Sequence, residues 1–153
     1  MIDDSQTQKF SLTPELLEAY RRTEFVVKRK DAMLVLKVGV FNAGIKSLFE
    51  EMRVTSSAFI TAFNPYSINK SDEDNQRRQF QLTAEIAHAG YQQIEGYGQG
   101  AGDGHTWSEE SILVLNITYE EAMSYAQKYQ QHAFVWISSD CVPLLVVSSD
   151  STV

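Results

Sequence analysis

Eight residues in the middle of the chain have side chains that could bind or transform a small molecule. An arginine can hold a phosphate or carboxylate, a glutamate can move a proton, amides and hydroxyls can read a polar edge, and a tryptophan face can stack on a ring. We predict a site for a small anionic or nucleotide-like ligand, with Glu109 as the catalytic acid or base. The predicted ligand-binding residues are Asn64, Ser67, Asn75, Arg78, Trp107, Ser111 and Gln131, with Arg78 as the anion anchor.

The same residues also have purely structural explanations. Asn64, which precedes a proline, and Asn75 are common turn and cap residues. An ion pair between Arg78 and Glu109 would join two elements without any ligand, and Trp107 would serve equally well as a cover for the core. A ligand site and a scaffold both remain open on sequence grounds.

The stretch 96–104 holds five of the eight glycines. Glycine lets backbone N–H groups approach an anion closely, and Gly96-x-Gly98-x-x-Ala101 imitates a dinucleotide-binding fingerprint. No helix start follows it, so the fingerprint is set aside. We expect a mobile loop or lid here, with phosphate cradling as the alternative.

Metal-ligating and nucleophilic residues are few. His88, His105, His132 and the lone Cys141 lack the close spacings of a zinc site. A metal held by His105, Glu109 and His132 would need the fold to gather them, and we predict no metal centre. Cys141 falls in a predicted turn between apolar strands and is expected to be inert. The sequence indicates no particular cofactor.

Cap residues and apolar spacing locate the helices. Thr13 before a proline starts the first helix, and Asn42 precedes an amphipathic segment. Ser71 and Thr118 each begin a pattern that imitates a capping box. Short apolar, β-branched or aromatic runs predict strands at 25–27, 33–36, 57–63, 91–95, 111–117, 133–137 and 143–147.

Strands separated by helices, with hairpins at both ends, predict an α+β fold: a mixed β-sheet packed by three to four helices, as an α/β sandwich. We expect one domain over residues 11–147, with flexible ends at 1–10 and 148–153.

The order of elements also predicts where the polar residues meet. A right-handed crossover through helix 72–89 makes strands 57–63 and 91–95 parallel, so both end at one rim of the sheet. A second crossover through helix 119–130 brings the start of strand 133–137 to the same rim. The eight polar residues should therefore converge there, where α/β sheets usually hold ligands.

Composition excludes several classes of protein. Twenty acidic and thirteen basic residues give a net charge of −7, which repels phosphate backbones and disfavours nucleic-acid binding. No apolar run approaches the roughly 18–20 residues that span a bilayer, and the N-terminus does not resemble a signal peptide. With a single cysteine as well, we expect a cytoplasmic protein without a membrane partner.

Four motifs carry a resemblance to a known family. They are Thr61-Ala-Phe-Asn-Pro-Tyr-Ser67, Asn75-x-x-Arg78-x-x-x-Leu82, Trp107-x-Glu109-x-Ser111 and Gln131-x-Ala133. They resemble the patterns N-P-x-S, N-x-x-R, W-x-E-x-S and Q-N-A of small bacterial proteins catalogued as domain-of-unknown-function family 3293, over residues 16–136. His132 stands where the family usually has asparagine, and the glycine stretch is longer. The resemblance implies that these polar residues act together, and it brings no known activity.

Two functions follow as hypotheses. The first is a small anionic-ligand or nucleotide-binding domain, with enzymatic activity left open. The alternative is a non-enzymatic protein-interaction or regulatory module, such as a phage or plasmid accessory protein. The expected partner is accordingly a small anionic ligand or another protein, and the sequence does not indicate an oligomeric state.

Overall fold

The computed structural model describes residues 13–102 and 105–149, which contain four α-helices and seven β-strands. The helices are α1 (Pro14–Arg22), α2 (Ala43–Met52), α3 (Asp72–His88) and α4 (Tyr119–Lys128). The strands are β1 (Glu24–Lys28), β2 (Met33–Leu36), β3 (Ser57–Ile60), β4 (Gln93–Gly102), β5 (His105–Leu115), β6 (Ala133–Ile137) and β7 (Leu144–Val147). The ends predicted to be flexible lie outside the described residues, except for Ser148 and Ser149. Ser148 is buried, and its hydroxyl donates to Gln131 O.

Each helix begins where its cap residue predicts. The side-chain oxygens of Thr13, Asn42, Ser71 and Thr118 each accept a hydrogen bond from the backbone N–H three residues later, at 2.9–3.1 Å. These bonds satisfy N–H groups that have no partner inside the helix. Local sequence therefore sets all four helix starts. None of the described helices is both long and apolar enough to cross a bilayer.

The strands form one sheet in the order β2-β1-β4-β5-β3-β6-β7, and every described pairing is antiparallel. The predicted α+β class is confirmed, but the sheet is antiparallel rather than mixed. Each crossover passes over one strand: β5 lies between β3 and β4, and β3 lies between β5 and β6. Strands joined by a crossover still point the same way, as predicted. This connectivity and strand order are those of the ferredoxin-like βαββαβ unit.

Helices cover both faces of the sheet. Ile45, Leu48 and Phe49 of α2, with Tyr20 of α1, pack on one face, and the sheet residues they meet there are Phe25, Val27, Phe59, Leu113, Leu115, Val135 and Ile137. On the other face, α3 and α4 pack through Leu82, Ile86, Ala122 and Ala126, and the sheet residues they meet are Ala58, Ile60, Ile112, Val114 and Phe134. Successive strand residues alternate between these two cores, as the pleat requires.

Three strands differ most from their predicted bounds: β3 is shorter, β4 is longer, and β5 begins at His105 rather than at Ser111. β3 ends at Ile60 because its next groups leave the ladder: the Thr61 hydroxyl donates to Glu110 O at 2.6 Å, and Ala62 N–H donates to Gln79 Oε1 at 2.8 Å. β4 continues through most of the glycine stretch, to Gly102. The prediction of a loop or lid there is wrong for 96–102, and residues 103–104 lie outside the described part of the chain.

Candidate functional site

The motif Trp107-x-Glu109-x-Ser111 lies on β5, where a spacing of two puts its three side chains on one face of the sheet. This is the face that α1 and α2 cover. Across the pair, Trp107 lies opposite Gly100 and Glu109 lies opposite Gly98, while Ser111 lies opposite Gly96. The glycine alternation thus matches the motif residue for residue, and it leaves β4 without side chains beside the three predicted site residues.

Close packing, rather than a loop, requires glycine at two of these three positions. A methyl group at Gly96 would collide with the backbone oxygen of Val26, and one at Gly100 would lie 2.7–2.9 Å from the Trp107 ring. At Gly98 the nearest atom, in the same ring, would be 3.7 Å away, an ordinary contact. One face of the indole therefore rests on the bare backbone of β4.

The turn after β3 places Asn64 above Glu109. Asn64, Tyr66 and Ser67 all have positive φ angles, of 47°, 50° and 62°, which side-chain-bearing residues adopt at a cost. Asn75 of α3 compensates: Asn64 N–H donates to Asn75 Oδ1, and Asn75 Nδ2 donates to Asn64 Oδ1, both at 2.9 Å. The Lys70 N–H also donates to Asn64 Oδ1, at 3.0 Å.

This fixed amide holds the carboxylate of Glu109. Asn64 Nδ2 donates to Glu109 Oε2 at 2.7 Å. Burial raises the pKa of Glu109 above its ordinary value, and the hydrogen bond from Asn64 opposes part of that rise. None of the ion pairs among the described residues involves Glu109. Burial, with a smaller contribution from the charge of Glu109, also raises the pKa of the Tyr20 phenol.

A cleft of about 350 Å³ opens between α1, the turn and β5. Four of the predicted site residues line it: Asn64, Ser67, Trp107 and Glu109. The sequence prediction missed the remaining lining residues, which are Leu16, Ala19, Tyr20, Thr23, Asn69 and Ser108. The apolar residues of α1 indicate a buried helix face, but nothing in the sequence shows that this face borders a cleft.

Arg78 is at the same rim but does not line this cleft. Its Nε donates to Ala62 O at 2.8 Å, and its Nη2 donates to Tyr129 O at 2.5 Å. The guanidinium carbon also lies 5.8 Å from the centre of the Tyr129 ring. Burial lowers the pKa of Arg78, although the nearby Tyr129 acts in the opposite direction. The ion pair considered between Arg78 and Glu109 does not form, and Arg78 joins two chain segments through their carbonyls.

The remaining predicted residues do not line the cleft and instead hold the segments that form it. The side-chain amide of Gln131 donates to Phe63 O at 3.0 Å and to Tyr129 O at 3.1 Å. The hydroxyl of Ser111 donates to Glu109 O at 3.1 Å. Gln131 and Ser111 are both buried, as is Asn75. The convergence at one rim is therefore present, but it separates into residues that face the cleft and residues that hold its walls.

The described residues contain no cluster of three or more histidine, cysteine, aspartate or glutamate side chains able to hold a metal. The side chain of His105 is outside the part of the chain that the structure describes. His132 is buried against Tyr66, with ring centres 5.4 Å apart, and burial lowers its pKa. Cys141 is buried too, and burial raises the pKa of its thiol.

The fold and the cleft define a class: a single-domain α+β protein with a cleft where helix α1 and the turn after β3 meet the sheet. Residues 60–134 match the family described as "Protein of unknown function (DUF3293)", the family that the four motifs resemble. The match contains all eight predicted site residues, but it leaves out α1 and is shorter than the resemblance over 16–136. No match was found among curated proteins or among solved structures.

Proposed function

We propose that this protein binds a small molecule in the cleft, with Glu109 and Trp107 as the principal contacts. The observation that carries the proposal is a half-buried carboxylate, fixed by Asn64 and without an ion-pair partner among the described residues, beside a partly exposed indole. An unpaired charge in such a position is costly for folding, so a role in binding or proton transfer accounts for it better than a role in stability.

The backbone of the turn supports the same proposal. Asn64, Tyr66 and Ser67 all adopt left-handed conformations, and two of them line the cleft. Such backbone strain is concentrated at functional sites, because a ligand contact can require a geometry that stability alone would not select. Glu109 is the cleft residue suited to proton transfer, since its raised pKa brings it closer to working pH than an ordinary carboxyl group.

The experiment uses the two tryptophans of the chain, which give two indole N–H signals in a nitrogen–proton correlation spectrum. Trp107 borders the cleft, whereas Trp136 packs edge-on against Tyr119 elsewhere. Trp136→Phe assigns the signals. Fragments from a diverse library are expected to shift the Trp107 signal and leave that of Trp136 in place. A library that moves neither signal, or moves both equally, would contradict the proposal.

A second candidate, the protein-interaction module, is favoured by the edge of the sheet. Met33 and Val35 on edge strand β2 are 55% and 43% exposed, and an exposed apolar edge strand can pair with another chain. If this edge binds a protein, Val35→Lys should abolish co-purification of a partner that the wild-type chain retains at physiological salt. Recovery of free monomer from both chains would count against it.

A further inference from the structure

We propose that the cleft selects an organic cation: a ligand with a protonated primary amine that lies against Glu109 and a flat apolar body that lies against Trp107 and α1. This rests on the proposed function, because it names the ligand class of the same cleft. It replaces the anionic ligand that the sequence predicts, since the structure assigns Arg78 to two carbonyl groups instead.

The charge of the cleft is the first argument. Among the described residues that line it, Glu109 is the only one with an acidic or basic side chain other than the phenol of Tyr20. An anion would therefore meet a carboxylate with no compensating cation. A protonated amine would supply the missing charge, and the net charge of −7 would draw cations toward the molecule as a whole.

The hydrogen-bonding groups of the cleft favour a donor. Asn64 Oδ1 already accepts from Asn75 and Lys70, and Asn64 Nδ2 donates to Glu109. The carboxylate of Glu109 therefore remains to accept from a ligand, and an ammonium group carries only donors.

The surface around Glu109 fits the rest of such a ligand. The Trp107 side of the cleft offers an aromatic surface, which attracts cations and stacks on flat groups. Leu16 and Ala19 of α1 supply apolar contacts in the same cleft. A metal cation is a poorer fit, because the described part of the chain offers no cluster of three ligating side chains.

Three probes with the same phenyl body test the proposal: phenethylamine, 2-phenylethanol and 3-phenylpropionate carry a positive, a neutral and a negative head group. Titration against the Trp107 indole signal should show phenethylamine binding roughly tenfold more tightly than 2-phenylethanol, with 3-phenylpropionate the weakest. The phenethylamine affinity should also rise with pH as Glu109 ionises, while that for 2-phenylethanol stays constant.

Two neighbouring variants separate a local contact from overall charge. Glu109→Gln should reduce the affinity for phenethylamine to that for 2-phenylethanol. Glu110→Gln removes the same charge one residue away, on the opposite face of β5, where Glu110 accepts from Gln76 Nε2 at 2.8 Å. It should leave the preference between the probes unchanged. A preference lost equally in both variants would assign it to net charge and overturn the proposal.

The outcomes also distinguish this inference from the function on which it rests. Equal binding of the three probes at Trp107, or tighter binding of 3-phenylpropionate, would overturn cation selection and leave a small-molecule cleft. If none of the three moves the Trp107 signal at millimolar concentration, cation selection is likewise overturned. The proposed function falls only if the diverse library also leaves that signal in place.

Discussion

The walls and the floor of the cleft use polar residues in opposite ways. In the walls, Asn75, Arg78 and Gln131 have each been drawn into bonds with the backbone or with Asn64. On the floor, Glu109 keeps a carboxylate without an ion pair among the residues described, and Trp107 keeps a partly exposed ring. Residues gathered at one rim thus divide into those that satisfy the fold and those that the fold leaves available.

Arg78→Ala should show the largest effect, because it removes a wall contact that joins two segments. Ala62 O would lose the donor from Arg78 Nε, whereas Tyr129 O would keep the donor from Gln131. We expect a loss of about 3 kcal/mol in the free energy of unfolding, measured by urea denaturation.

The adjacent Arg77 provides a matched control for this prediction. Arg77 pairs with Asp74 on the exposed side of α3, so Arg77→Ala should cost less than about 1 kcal/mol. A similar cost for the two arginine variants would show that the carbonyl contacts of Arg78 are not what stabilises the wall.

Gly96→Ala should have the next largest effect, since its methyl group would meet the backbone oxygen of Val26 and the Phe59 ring. Overpacking of this kind costs about 2 kcal/mol, again measured by denaturation. Gly98→Ala is the matched control: its methyl group would make contacts of 3.7–3.9 Å, and stability should change by less than about 0.5 kcal/mol. Equal tolerance of both substitutions would contradict the close packing argued for Gly96.

Asn75→Ala should cost about 1–2 kcal/mol, because Asn64 N–H loses its acceptor and the turn loses its link to α3. It should also weaken ligand binding at the Trp107 signal, since the Asn64 amide no longer holds Glu109 firmly. Gln76→Ala, one residue further along α3, removes an exposed contact with Glu110 and should change neither property appreciably. If Asn75→Ala still binds ligand as the wild type does, the turn keeps its geometry without Asn75.

Local features of the fold could be predicted from the sequence because their causes lie within a few residues. Caps at Thr13, Asn42, Ser71 and Thr118 mark the helix starts, and the β1–β2 hairpin follows from its two apolar runs. The gathering of the motifs at one rim was also predictable, because a crossover fixes strand direction. Strand order was not, because the insertion of β5 between β3 and β4 depends on contacts far apart in the chain.

The sequence predicts which residues gather at the site but not what each of them does there. Nothing near Arg78 in sequence shows that its donors will meet Ala62 O and Tyr129 O, which belong to distant segments. The composition of the glycine stretch predicts a loop, because glycine is uncommon in strands. Its period of two matches that of Trp107-x-Glu109-x-Ser111, and pairing these two alternations would have predicted the hairpin.

Glu109→Gln should have the smallest effect on stability and the opposite sign. Because burial raises the folded-state pKa of Glu109, the folded protein keeps this proton to a higher pH than the unfolded chain does. The stability contributed by the protonated group is therefore fully present below the unfolded-state pKa and is lost as pH rises through the folded-state pKa. Replacing the carboxylate with a neutral amide should remove this loss of stability at higher pH.

Glu109→Gln should then be more stable than the wild type at neutral pH by up to about 1 kcal/mol, and the difference should vanish in acid. Thermal unfolding from pH 4 to pH 8 measures both. Glu110→Gln, on the other face of the strand, should show no such pH-dependent gain. A floor residue that costs stability when ionised, yet is needed for binding, would complete the contrast with Arg78. A loss of stability at neutral pH in Glu109→Gln would instead place Glu109 among the wall residues, held for the fold and not for a ligand.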